Sequence, residues 1–154
     1  MVRIMKYINR VYRASLIDRE LAFADEGLAG QQLSYILQIC RSPGISQDEI
    51  AKRLYVNKSS VTRQLCRMEK HGFIERKVDK DDKRAKKIYP TKKANEIYPK
   101  VIDYLNEWNE NIITDIDEAN YDNVVEILRS LALRSTEVVN EKVNTKFNVK
   151  AGDF

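Results

Sequence analysis

Apolar residues recur at helical spacing from the start of the chain. Ile4, Tyr7, Ile8, Val11, Leu16 and Leu21 form one such series, which stops near Gly27 and Gly30 and predicts a helix over residues 3–24. Leu33, Ile36, Leu37 and Ile39 form a second, closed by Pro43-Gly44. In SQDEIAKRL, Ser46 and Glu49 have capping-box spacing, so a short helix over residues 47–54 is expected, with Ile50, Ala51 and Leu54 facing inward. Asn57 offers the next N-cap. Val61, Leu65 and Met68 then supply the buried stripe of a longer helix that ends near His71, with Gly72 at the position after its C-cap. Two helices joined this tightly form a helix-turn-helix.

Beyond Gly72 the period shortens from helical to alternating. FIERKV puts Ile74 and Val78 on one side with Glu75 and Lys77 on the other, and AKKIY resumes an extended pattern after a charged stretch, so a hairpin is expected. Thr91 caps a long helix carrying Ile97, Val101, Tyr104, Leu105, Trp108 and Ile112 on one face. Pro99 inside it predicts a bend or a displaced start. A last helix follows Asp117, with Tyr121, Val124, Leu128, Leu131 and Leu133 as core candidates, and the tail beyond about residue 142 is expected to fray. The fold class is therefore mainly α with a small β-hairpin, in one domain of 154 residues.

Charge sharpens this outline. The chain carries 27 Lys and Arg against 23 Asp and Glu. Residues 44–93 hold fifteen bases and seven acids, a net +8, while the remainder holds twelve and sixteen, a net −4. The basic excess sits in the helix-turn-helix and hairpin, which suggests a polyanionic partner for the centre and another task for the ends. No apolar run reaches membrane-spanning length, and Arg3, Lys6, Arg10 and Arg13 interrupt any signal-peptide core, so a cytoplasmic protein with no membrane partner is expected. Cys40 and Cys66 have neither metal-ligand spacing nor the number for a disulfide framework, and are read as free thiols.

A helix-turn-helix reads DNA by laying its second helix in the major groove. With Val61, Leu65 and Met68 turned inward, the outward set is Lys58, Ser59, Ser60, Thr62, Arg63, Gln64 and Arg67. Hydroxyls there suit phosphate oxygens, Arg63 suits guanine and Gln64 suits adenine. The stretch DKDDKRAKK that follows makes the hairpin a wing. Arg84 can enter a minor groove, Asp82 two residues away can orient its guanidinium, and Lys83, Lys86 and Lys87 can meet the backbone.

Residues 44–94 resemble the DNA-binding region of the MarR family of winged helix-turn-helix regulators. Glu69, Gly72, Ile74 and Arg76 match its "LE..GLI.R" segment, and Asp79, Asp82 and Arg84 its "D..D.R" wing pattern. The resemblance implies a winged-helix DNA-binding region over residues 31–94, flanked by dimerisation helices in residues 1–30 and 95–154. It also implies a homodimeric regulator, a repressor in first expectation, that binds pseudo-palindromic double-stranded promoter DNA. Release by a small phenolic or lipophilic effector is a further implication of the family. Gln64 stands where the family commonly has an apolar residue, which leaves two places open for it, facing DNA or at the edge of the core.

Other readings are weaker. A non-specific architectural or protein-docking winged helix would account for the basic centre but has no need of the two Ser and Gln64. There is one His, and no HExxH, GxSxG, P-loop or GxGxxG, so neither a catalytic residue nor a metal or cofactor is expected. His71 is read as a helix-terminal residue. Trp108 and Tyr7, Tyr12, Tyr35 and Tyr104 are read as core or dimer interface ahead of a ligand pocket, and a redox role for Cys66 is the lesser reading.

Overall fold

The computed structural model describes residues 3–79 and 86–143. Their elements follow in the order α1 (Ile4–Ala22), a 3-10 turn (Gly30–Gln32), α2 (Leu33–Arg41), β1 (Ile45–Ser46), α3 (Gln47–Arg53) and α4 (Lys58–Lys70). Strands β2 (Ile74–Val78) and β3 (Lys86–Pro90) and helices α5 (Lys92–Ile112) and α6 (Glu118–Val143) complete them. No helix among the described residues is long and apolar enough to cross a membrane.

The helix boundaries follow from local chemistry. Ser46 accepts from the Glu49 N–H at 3.2 Å, and Glu49 accepts from the Ser46 N–H at 2.9 Å, closing the capping box that starts α3. That backbone hydrogen bond from Ser46 holds the Glu49 carboxyl below its ordinary range. Asn57 caps α4 through the Ser60 N–H at 2.8 Å. Thr91 caps α5 through the Ala94 N–H and donates its hydroxyl to the Gly72 carbonyl at 2.6 Å.

Helices α3 and α4 end in the same motif. After α4, Phe73 N–H bonds the Met68 carbonyl and Gly72 N–H the Glu69 carbonyl, with Gly72 at φ +76°. After α3, Val56 N–H bonds Ala51 and Tyr55 N–H bonds Lys52, with Tyr55 at φ +51°. A non-glycine residue in the left-handed region costs about 1–2 kcal/mol. The helix-turn-helix turn is thus held in a shape that its central residue disfavours.

Four expectations need correction. The sheet has three strands, in the order β1-β3-β2 and antiparallel throughout: Ile45 faces Ile88 across β1 and β3, and Arg76 faces Ile88 across β2 and β3. A two-residue strand has no alternation to betray it. Val78 lies on the Ile74 side of β2 but is 57% exposed, because the core ends beneath Ile74 and Ile88 and the strand runs past it. Of the two outcomes expected of Pro99, a displaced start does not occur, since α5 runs from Lys92 with Pro99 inside it.

The fourth correction concerns the ends. Among the described residues every buried large apolar side chain lies between Phe23 and Val101, in one cluster built from α2 to α5, the sheet and the segment that joins α1 to α2. The core candidates of α6, Tyr121, Val124, Leu128, Leu131 and Leu133, are half-buried or exposed, and Ile4, Tyr7, Val11 and Leu21 of α1 are exposed. Periodicity identifies an apolar face, not what covers it.

Helix α1 is tied to the centre by its last two turns. A Cβ on Gly30 would stand 2.8 Å from the Leu16 carbonyl oxygen, so only glycine permits this approach. Glu20 accepts from the Gly30 N–H at 2.6 Å, and Asp18 accepts from the Tyr104 hydroxyl at 2.6 Å. Phe23 and Tyr104 meet edge to face at 5.3 Å between ring centroids.

Candidate nucleic-acid interface

Burial of Val61, Leu65 and Met68 turns the opposite side of α4 outward. Lys58, Ser59, Thr62, Arg63 and Arg67 are exposed there and Ser60 is half-buried. Several of these groups are held in place. Gln47, the first residue of α3, donates to the Thr62 hydroxyl at 2.6 Å, and that hydroxyl donates to the Lys58 carbonyl at 2.9 Å. Lys58 pairs with Asp48 at 2.9 Å, both side chains well exposed. Ser59 donates to Asn57 at 2.7 Å, and Arg63 to the Ser60 hydroxyl at 3.3 Å. The first turn of α4 is therefore braced by α3.

Gln64 does not belong to this face. It is 8% exposed and accepts a hydrogen bond at 3.0 Å from Gln32, itself 4% exposed. The place left open between DNA and the edge of the core is resolved inward. Its neighbours Val61, Leu65 and Met68 share the helical stripe that carries it there.

The hairpin stands beside the C-terminal half of α4. Arg76 lies on the inner side of β2 with its side chain 17% exposed, where its Nε is 3.3 Å from a Glu69 carboxylate oxygen and its Nη2 donates to the Cys66 Sγ at 3.3 Å. One guanidinium thus joins β2 to two successive turns of α4. Lys86 is exposed, and Lys87 pairs with Asp79 at 3.5 Å. A small open cavity of about 230 Å³ between the helix-turn-helix and the strands is lined by Gln47, Arg76, Lys86 and Ile88. Asp82, Lys83 and Arg84 lie outside the described residues, and so does the expected alignment of Arg84 by Asp82.

Sequence reasoning did not single out Gln47 or Gln32, and it used Arg76 only as a family marker. Their partners lie on other elements, so no local spacing announces them. The two thiols differ in setting. Cys66 is exposed on α4, whereas Cys40 is half-buried against the Ala94 carbonyl, and burial pushes its thiol up to about 11. Among the described residues no group of three or more His, Cys, Asp or Glu is placed to hold a metal ion.

Known proteins share this arrangement. Residues 29–86 match the model of the MarR family. The chain is 31% identical over 96 residues to YybA, an uncharacterized helix-turn-helix transcriptional regulator of Bacillus subtilis; the match spans 62% of this chain and 64% of YybA, less than two thirds of that relative. A SlyA-like transcription regulator from Listeria monocytogenes superposes with a TM-score of 0.88 at 25% identity, covering 95% of this chain and 98% of that one. A putative MarR family regulator from the same organism, solved with a 26mer DNA, gives a TM-score of 0.85 at 25% identity with the same coverage. Residues 29–86 thus resemble the MarR family, and nearly the whole chain shares the winged-helix fold of these transcription regulators.

Proposed function

We propose that the protein is a homodimeric, sequence-specific DNA-binding transcription regulator, a repressor, in which α4 enters the major groove and the β2–β3 hairpin reaches the adjacent minor groove. The observation that carries this reading is the exposed Ser59, Thr62, Arg63 and Arg67 face, braced from behind by Gln47 and flanked by a cationic hairpin. Arg63 and Arg67 are the candidates for base-edge contact, while Lys58, Ser59, Ser60 and Thr62 position the phosphates. The DNA-bound Listeria structure supports the assignment by its likeness.

Dimerisation belongs to α1 and α6. Ile4, Met5 and Ile8 of α1 and Leu128, Leu131 and Val138 of α6 line an open apolar groove of about 730 Å³, a surface suited to a second copy of the chain. A second cleft of about 660 Å³ between α1 and α5, lined by Tyr12, Arg19 and Trp108 among others, suits a small aromatic or lipophilic effector that releases the DNA.

The test is selection of duplexes from a random pool, followed by titration at several salt concentrations. An inverted repeat with half-sites about 10 bp apart should emerge. Arg63→Ala should weaken its binding by about 5- to 100-fold and relax preference at one base pair. Equal affinity for every duplex would sink the reading in favour of a non-specific winged helix.

A further inference from the structure

The buried Gln32–Gln64 pair is a polar contact that crosses the core of the central domain from the α1 side to α4. Gln32 ends the 3-10 turn that follows α1. Its side-chain oxygen Oε1 accepts from the Ala29 N–H at 3.0 Å, and its side-chain Nε2 donates to the Gln64 Oε1 at 3.0 Å. The residue after Ala29 is Gly30, whose N–H is held by Glu20 of α1 and whose lack of a Cβ lets the turn lie against Leu16 and Arg19. The polar groups therefore run in series: Glu20 on α1, the Ala29-Gly30 backbone, Gln32, then Gln64 in the middle of α4.

An apolar residue at position 64 would fill the same space. It would also pack almost equally well over a range of helix rotations and axial shifts, because dispersion contacts have little directional preference. A buried amide pair does not share that tolerance. With both side chains largely buried, a small slide of α4 leaves a donor and an acceptor unpaired in a low-dielectric interior. Buried polar pairs of this kind set register rather than add net stability.

We propose that Gln32 and Gln64 are positioning residues that lock the recognition helix to α1, and so fix the distance between the two half-sites that the dimer reads. This rests on the reading of α4 as the recognition helix and of α1 as part of the dimer. Neither side chain touches DNA. Their effect is on the frame that presents Arg63 and Arg67.

The experiment compares the full-length chain with Gln32→Met, Gln64→Met and the double variant, Met matching Gln closely in length and volume. The probes are the duplex enriched by the wild-type chain and copies of it with one base pair added or removed between the half-sites. Each single variant strands one partner of the Gln32–Gln64 bond and should lower thermal stability, whereas the double variant strands neither and should recover that part of the loss, the Ala29 N–H remaining without its Gln32 acceptor in both Gln32→Met chains. The double variant should keep the wild-type base preference within each half-site. It should nevertheless lose about tenfold of the wild-type preference for the native spacing. Unchanged spacing discrimination in a folded double variant would overturn the proposal.

A second measurement needs no DNA. In hydrogen exchange on the free protein, Gln32→Met should speed exchange of the amides in the middle of α4, and Gln64→Met should speed exchange over residues 29–33. Exchange that rises only around the substituted residue overturns the coupling. If the wild-type chain enriches no sequence at all, the DNA-binding reading fails, and the exchange data still decide whether the pair couples α1 to α4.

Discussion

The central winged helix and the terminal helices are built on opposite terms. Between Phe23 and Val101 most large apolar residues are covered, Val78 and Tyr55 excepted, and Leu33, Ile36, Ile39, Ile50, Val61, Leu65, Met68 and Phe73 are all completely buried. Among the described residues of α1 and α6 only Ser15 and Thr136 are buried in the single chain, while Tyr7, Tyr12, Ile17, Leu21 and Ile127 are each more than half exposed. Both regions have clear helical periodicity. The difference is that the centre supplies its own cover and the ends do not, and the proposed dimer would supply it from a second copy of the chain.

The sharpest way to break this comparison is to damage the core of the centre. Leu65 has no exposed surface and sits between α4 and the rest of the central cluster, so Leu65→Ala removes buried atoms and leaves a cavity. A loss of about 2–5 kcal/mol in unfolding free energy is expected, read from urea midpoints at one fixed protein concentration. A loss below about 1 kcal/mol would mean that the centre is not the stable body that its burial suggests.

At the ends the corresponding change should cost little within one chain and much between two. Leu128 is 49% exposed and lies at the meeting of both open clefts. Leu128→Glu places a charge in water if the face is free, and in an apolar interface if a second copy covers it. Association measured by sedimentation should weaken by more than about tenfold, with the helical signal of each chain retained. A dimer as tight as wild type would show that this part of α6 faces solvent.

The same contrast explains what could be read from the sequence. Caps and turns were legible because their partners are close in sequence: Ser46 with Glu49, Asn57 with Ser60, Thr91 with Ala94, and Gly72 in its left-handed turn. The outward set on α4 was legible for the same reason, with Gln64 the exception. Its burial depends on Gln32, thirty-two residues earlier, and no spacing rule connects them. Strand β1 escaped because its pairing with Ile88 and Lys87 is visible only in three dimensions. The α6 residues read as core were correctly identified as an apolar face, but the element that covers such a face need not be in the same chain.

The smallest expected effect lies where the two regions join. Tyr104 of α5 donates to Asp18 of α1, and Phe23 packs edge-on against its ring, so this contact helps hold an end to the centre. Burial, then the hydrogen bond and charge of Asp18, raises the Tyr104 phenol above its ordinary range. The folded state therefore keeps a proton that the unfolded chain releases near pH 10, so the contribution is complete below that pH and is lost as pH rises above it. Tyr104→Phe should cost about 1 kcal/mol at neutral pH. The gap between wild type and variant should then narrow above about pH 10, where Tyr35, raised by burial and by Tyr12, still gives the variant a falling stability of its own. A gap that stays constant to pH 11 would show that the ring's packing, and not its proton, ties α1 to α5.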